Sequence, residues 1–398
     1  MPNPRLIFVN RVYWPSTQAT AQLLTDLAES LAARGWTVHV ITAGEPATRH
    51  NGVTIHRTGT PEKHSGLLSR AMTHRAFQRA ARRQLAAVVK PGDVVVPMTD
   101  PPLLAVAVGR EVVARGAKIV PWIQDIYPEI AAAHFGPVAG ILSLPLKASR
   151  DSAWRSAAAC VTLGTDMART VTDRGVPGDR VAILPNWAPR ELHLPATPAA
   201  IDACRRRWDV ADKFVVAYSG NLGRVHEFET MLDAAARLRA NASVVFLFIG
   251  QGPRFQEVRA AASSRGLDNI RLFPPEPRAA LPAALAGADA HLVSLRPTYA
   301  ALVYPSKLAG VLAAGRPALF IGPTAGDIGR LLANESCGES FAPGDSAGLA
   351  TIIARWQSDA PERVRLGRAA RAAYEKHFTA EAAVSAWEKL LRQASSGI

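Results

Sequence analysis

The sequence predicts an α/β protein built from two doubly wound domains of similar size. Three observations carry this. Short apolar runs rich in Val, Ile and Phe alternate with Ala-rich helical stretches along all 398 residues. The apolar runs are continuous instead of alternating in polarity, as in parallel strands covered on both faces. The alternation stops once, at a proline-rich stretch near the middle, and then restarts.

In chain order, RLIFVN (residues 5–10) reads as the first strand. A helix over residues 19–34 follows it, closed by Gly35 in the position that tolerates left-handed backbone. TVHVIT (37–42), DVVVP (93–97), KIVPWIQ (118–124) and CVTL (160–163) continue as strands, each after or before a helical stretch. Residues 183–202 hold four prolines and little periodicity, which places the domain linker there. The strands then resume at 214–220, 243–250, 269–274, 290–295 and 317–322. A last helix over 379–394 has no strand after it and is free to cross back. The expected division is 1–190, 191–378 and a C-terminal helix at 379–398.

Composition narrows the class. Hydrophobic residues make up 48% and charged residues 20%, as in a globular chain. Cys160, Cys204 and Cys337 lie far apart with no CxxC spacing, which argues against a disulfide framework or a structural zinc and fits a reducing compartment. The N-terminus leads directly into a strand and lacks the pattern of a signal peptide. No apolar run approaches the ~18 residues of a membrane span, and the best candidate, 137–146, is broken by Gly and Pro. The 46 Lys and Arg against 33 Asp and Glu predict an anionic partner. The excess is local. Residues 63–90 contain seven basic side chains and no acidic one, with Arg70, Arg75, Arg79, Arg82 and Arg83 interleaved among apolar residues. Such a helix fits either an anionic membrane surface or a plain solvated face.

Three segments have the form of anion sites. In YSGNLGRVHEF (218–228) a strand ends in Gly220-x-x-Gly223, with Asn221 between them and Arg224 next, at the expected start of a helix. Glycines let backbone amides approach a ligand, and an arginine forks onto phosphate. FIGQGPRF (248–255) repeats the form with Gly250 and Gly252, and Phe273 ends the neighbouring strand. In YPSKLAGVLAAGRP (304–317), Ser306 and Lys307 fall in the first turn of a helix, where a lysine opposes the helix dipole unless an anion is bound. An ordinary tight turn accounts for each of the first two, and a solvated lysine for the third. Their joint position at the ends of parallel strands in one domain favours a shared ligand. No glycine precedes Gly35, so the dinucleotide fingerprint GxGxxG is missing from the first βα turn and NAD binding there is disfavoured.

Taken in order, SGNLGR, FIGQGP, LAGADAHLVSL and PSKLAGVLAAGRP resemble the family 4 glycosyltransferases of the GT-B fold. The nearest likeness is the branch that builds bacterial exopolysaccharide and O-antigen, including colanic acid and N-acetylfucosamine transferases; WIQDIYPE (122–129) and VAILPNWA (181–188) agree with it. The resemblance covers nearly the whole chain. It implies two doubly wound Rossmann-like domains facing a central crevice, with a nucleotide-sugar donor on the second (a UDP-sugar favoured) and the acceptor on the first. It also implies retention of configuration and no metal or other cofactor. Donor contacts then fall to Gly220, Asn221, Gly223, Arg224, Gly250, Gly252, Phe273, Ser306 and Lys307, with Arg224 and Lys307 stabilising the departing diphosphate. The acceptor side falls to Ser16, Thr17, Gln18, Asp125, Glu129 and His134. Asp125 is either an acceptor-orienting carboxylate or a cap for the helix that follows, while an exposed helix face accounts for Glu129 and His134. The family reading favours a polyprenyl-diphosphate-linked acceptor, an anionic membrane surface for the basic helix, and a cytoplasmic protein peripheral to the inner face of the cell membrane.

The sequence departs from the broader family in three places. Leu302 and Gly310 stand where most members carry glutamates, Asn221 and His226 where many carry Arg and Lys, and Ser16, Thr17 and Gln18 where glycines are common. Two other readings share parts of the evidence. A nucleotide-sugar 2-epimerase has the same architecture and acts on the donor alone. A basic nucleic-acid-binding protein rests on charge only, without a recognition motif.

Overall fold

A computed structural model describes residues 4–45, 49–62 and 66–396. The chain divides into two units, one of residues 1–185, 301–304 and 381–398, the other of 186–300 and 305–380.

The first unit holds strands β1 (Leu6–Val9), β2 (Val38–Thr42), β3 (Arg49–His50), β4 (Val53–Arg57), β5 (Val94–Pro97) and β6 (Lys118–Ile119). They form one sheet in the order β3-β4-β2-β1-β5-β6. All neighbours are parallel except β3, which turns back antiparallel onto β4. Two further strands, β7 (Cys160–Thr162) and β8 (Val181–Ile183), pair in parallel, and a bridge from Trp122 to Val161 links them to the chain after β6. Every residue of β1 and β5 is buried, which explains their unbroken apolar runs. The C-terminal helix Ala380–Ser396 packs in this unit, with Trp387 set edge-on to Trp122 at 4.8 Å and both rings fully buried.

The second unit is built on β9 (Phe214–Asn221), β10 (Val244–Gln251), β11 (Ile270–Phe273), β12 (Ala290–Ser294), β13 (Ala318–Ile321) and β14 (Gly338–Phe341). These form an all-parallel sheet in the order β11-β10-β9-β12-β13-β14. Successive side chains feed two cores. Val216, Tyr218, Phe246 and Phe248 enter one face, and Val215, Ala217, Val245 and Leu247 enter the other. Helices therefore cover both faces. One of them, Ser346–Ser358, begins with the Asp345 carboxylate accepting from the Gly348 amide at 2.9 Å. Asp345→Ala removes that cap and is expected to lower stability by about 1 kcal/mol in chemical denaturation.

The structure corrects the sequence reading in several places. VTIHR (β4) and GESF (β14) are strands that the apolar pattern did not mark. The stretch read as a linker begins inside β8 and contains the start of a regular helix, Pro198–Arg207, capped by Thr197. No described helix is long and apolar enough to cross a membrane.

Candidate functional site

In the second unit the strands deliver their loops to the C-terminal edge of the sheet. β9 and β10 run in register as far as Gly220 opposite Gly250 and Asn221 opposite Gln251. The glycines there are required by the backbone. A Cβ on Gly250 would lie 2.0 Å from the Gly220 carbonyl oxygen, and one on Gly252 would lie 2.6 Å from that of Leu222. The two loops interlock, so Gly250 and Gly252 shape the Gly220 loop. Gly250→Ala forces the strand ends apart and is expected to cost about 1–3 kcal/mol of stability in chemical denaturation.

Lys307 stands at this edge. Its Cε would be 3.8 Å from a Cβ on Gly220. Its ammonium lies 3.7 Å from the centre of the Tyr218 ring, donates to the Tyr218 hydroxyl, and is 3.5 Å from the Asn221 carbonyl oxygen. Among the described residues no carboxylate pairs with it, and burial lowers its pKa well below the ordinary lysine value. Tyr218, stacked on Phe248 and donating to the Asn221 carbonyl at 3.1 Å, braces both the loop and the lysine. Sequence reasoning missed its role, because a tyrosine in a buried strand reads as core.

His226 is buried nearby, its Nδ1 2.7 Å from the Ser294 carbonyl oxygen. Burial, helped by the charge on Lys307, lowers its pKa to about 3. It is a neutral imidazole and cannot replace a phosphate-binding cation. Arg224 is exposed but lies in the loop that follows β9, since the next helix starts only at Glu229; its expected place in a helical first turn is corrected. Ser306 is exposed immediately before Lys307. Phe273 ends β11 with its ring turned toward Trp208, centroids 6.2 Å apart. Gly310 is buried in the helix Lys307–Ala313, where a Cβ would already touch Leu192 and Leu285 at 3.4 Å. A glutamate has no room there.

The acceptor-side candidates lie in the first unit. Ser16, Thr17 and Gln18 form the turn between β1 and the helix Ala19–Ala33, with the Ser16 amide bonded to the Tyr13 carbonyl at 2.9 Å. Asp125 does not cap the next helix, which begins at Glu129 after Pro128 with no side-chain cap. Its backbone bridges Val303, and the Ile126 amide donates to Leu302 at 2.9 Å, so residues 301–304 are threaded against it. Leu302 therefore serves as a backbone partner in the first unit. Burial, followed by the charge on Asp100, raises the Asp125 carboxyl to about 6. Asp125 also lines a small cavity with Thr99, Tyr127, Arg150 and Trp154.

Glu129 is not on an exposed face. Arg150 is buried at 3% exposure and forks onto both its oxygens, at 2.5 and 2.8 Å, while also bonding Asp151 and the Tyr127 carbonyl. Burial alone raises the Glu129 carboxyl, but the bond and charge of Arg150 bring it below the usual carboxylate range. This carboxylate is held for structure. His134 is half-buried, edge-on to Phe135 at 4.5 Å.

Two domain families match this chain. Residues 19–187 match the "Glycosyl transferase 4-like domain", and 202–373 match "Glycosyl transferases group 1". The chain is a family 4-like glycosyltransferase. Over 171 residues the enzyme is 34% identical to the "Putative colanic acid biosynthesis glycosyl transferase WcaI" of Escherichia coli, a match spanning 43% of this chain and 42% of that one. Over 295 residues it is 28% identical to the "Probable glycosyltransferase WbjE" of Pseudomonas aeruginosa, covering 72% of each. The glycosyltransferase also shares its GT-B fold with Anabaena HepE, solved in complex with UDP. The TM-score is 0.73 at 15% identity, over 98% of this chain and 99% of that one.

Proposed function

We propose that this glycosyltransferase moves a sugar, with retention of configuration, from a nucleoside-diphosphate sugar to a hydroxyl of a lipid-linked saccharide in surface polysaccharide synthesis. The observation that carries the reading is Lys307, an ammonium with no carboxylate partner among the described residues, standing over Tyr218 at the Gly220 loop. Such a cation fits a diphosphate. The UDP complex of HepE favours a UDP-sugar, and the colanic acid relative favours exopolysaccharide work.

The reaction breaks the bond between C1 of the sugar and the diphosphate and forms one from C1 to the acceptor oxygen on the same face. The acceptor proton passes to the departing phosphate. Lys307 and Arg224 stabilise the charge that grows on the leaving group, with no metal assigned to that task. Asp125 orients the acceptor by accepting a hydrogen bond from a hydroxyl beside the reacting one, whose own proton goes to the phosphate, and the ionised carboxylate is the stronger acceptor. With the carboxyl raised to about 6, activity is expected to rise with pH through that value. A kcat/KM profile of the wild type should show this acid limb, and Asp125→Asn should lose it.

Five arginines of the helix Gly66–Val88, namely Arg70, Arg75, Arg79, Arg82 and Arg83, are exposed and form no ion pair among the described residues. Their row suits an anionic membrane surface, and with it a polyprenyl-diphosphate acceptor presented at the inner face of the cell membrane. The whole reading is tested by incubating enzyme, UDP-sugars and a lipid-linked acceptor and determining the anomeric configuration of the product by NMR. Retention supports it. Inversion, or donor turnover that does not depend on acceptor, overturns it.

A further inference from the structure

The first unit carries an apolar ridge that its fold does not use. Phe135, Val138, Ile141, Leu142, Leu144 and Leu146 are 48–74% exposed, and they account for six of the twelve large hydrophobic residues that the described chain leaves exposed. All six fall within residues 135–146, across the ends of three helices, Glu129–Phe135, Pro137–Leu142 and Leu144–Arg155. A cluster of this kind is uncommon on a soluble monomer and marks an interaction surface. No Asp, Glu, Lys or Arg occurs from 130 to 146, and no acidic residue before Asp151.

The surroundings identify the partner. The helix Leu144–Arg155 packs on the helix Leu104–Ala114, which packs on the arginine helix Gly66–Val88. The connections from β4 to β5 and from β5 to β6 step in the same direction across the sheet, and the parallel bridge from Trp122 to Val161 carries the chain on beyond β6 to β7, so right-handed crossovers put these helices in one layer. The ridge and the row of five unpaired arginines thus belong to the same layer, with Met72 also 71% exposed on the arginine helix. An apolar surface beside uncompensated cations matches an anionic bilayer, where side chains enter the acyl boundary and arginines take the headgroups. A second copy of this chain fits less well. It would set arginine row against arginine row, and neither 63–92 nor 130–150 supplies a carboxylate.

We infer that residues 135–146 insert into the interfacial region of an anionic membrane and seat the first unit on it, the arginines of the helix Gly66–Val88 acting as headgroup contacts. This deepens the membrane reading proposed above and rests on it. Insertion adds a component of binding that salt does not screen.

The test uses the full chain with vesicles of phosphatidylcholine alone or mixed with phosphatidylglycerol. Cys160, Cys204 and Cys337 are buried, so Leu142→Cys provides one accessible thiol for an environment-sensitive fluorophore. The ridge predicts a blue shift on anionic vesicles, quenching by lipids labelled near the headgroup, and binding that persists in part at high salt. The triple variant Ile141→Gln, Leu142→Gln, Leu144→Gln changes only exposed side chains. It should bind such vesicles at least tenfold more weakly while keeping its circular dichroism and its nucleotide affinity. Arginine-dependent vesicle binding with an unshifted fluorophore and an unaffected triple variant overturns the ridge and leaves the electrostatic reading standing. No binding to any vesicle overturns both. A concentration-dependent dimer in sedimentation, abolished by the triple variant without vesicle binding, reassigns the ridge to self-association.

Discussion

Lys307→Met is expected to lower turnover by about 100–1,000-fold while leaving the protein folded, the scale on which loss of one preorganised charge donor acts. The side chain is close to isosteric, and its ammonium has no carboxylate partner among the described residues, so little of the fold depends on its charge. The effect has a second signature. In the free protein burial holds the lysine well below its ordinary pKa. A diphosphate beside it raises that value, so in the pH range between the free and the bound values nucleotide binding takes up a proton, and affinity falls as pH rises through that range. Calorimetry in buffers of different ionisation enthalpy should detect that proton in the wild type and not in Lys307→Met. Near-normal turnover in the variant would remove the lysine from the mechanism. Tyr218 is the brace in this account, because its ring lies under the ammonium and its hydroxyl ties the lysine to the Asn221 carbonyl.

Arg150→Met is expected to produce the largest loss of stability, about 3 kcal/mol in chemical denaturation, because it leaves the half-buried Glu129 carboxylate beside Asp151 with only the more exposed Arg174, 3.5 Å away, to offset its charge. The sign of the pH dependence follows from the pair. Glu129 is held below its ordinary pKa in the folded protein. Its contribution is therefore present above the unfolded value and lost as pH falls through the folded one, so wild type and variant should converge in acid. Adding Glu129→Gln to the variant should recover part of the loss at neutral pH. A variant as stable as the wild type at neutral pH would show that the pair carries no net stabilisation.

These two residues also mark how far the sequence could be read. The glycine loops were legible because strands β9 and β10 are unbroken apolar runs that stop at Gly220 and Gly250, and a chain that must turn there needs those residues. Lys307 stood out because a lysine at a helix start opposes the dipole. The Arg150–Glu129 pair was not legible, since its members lie 21 residues apart and each alone looks like an ordinary surface charge. The missed strands have physical reasons too. In VTIHR only Val53 and Ile55 are buried, and His56 turns to meet His39 at 2.9 Å, so the run alternates and lacks the continuous apolar stretch that marked the other strands. GESF lies at the edge of its sheet with Phe341 its one buried residue. The segment 137–146 was legible only as a broken apolar run too short to span a bilayer. That its side chains face outward depends on the three helix ends brought together there.

The measurement closest to the central claim is isothermal calorimetry of the wild type and Lys307→Met with UDP, GDP, dTDP, ADP and NAD, each with magnesium and with chelator. The account predicts that one nucleoside diphosphate, UDP first, binds the wild type equally well in chelator and that Lys307→Met loses most of that affinity. Binding of NAD alone, binding only with magnesium, or equal affinity in the variant would contradict it.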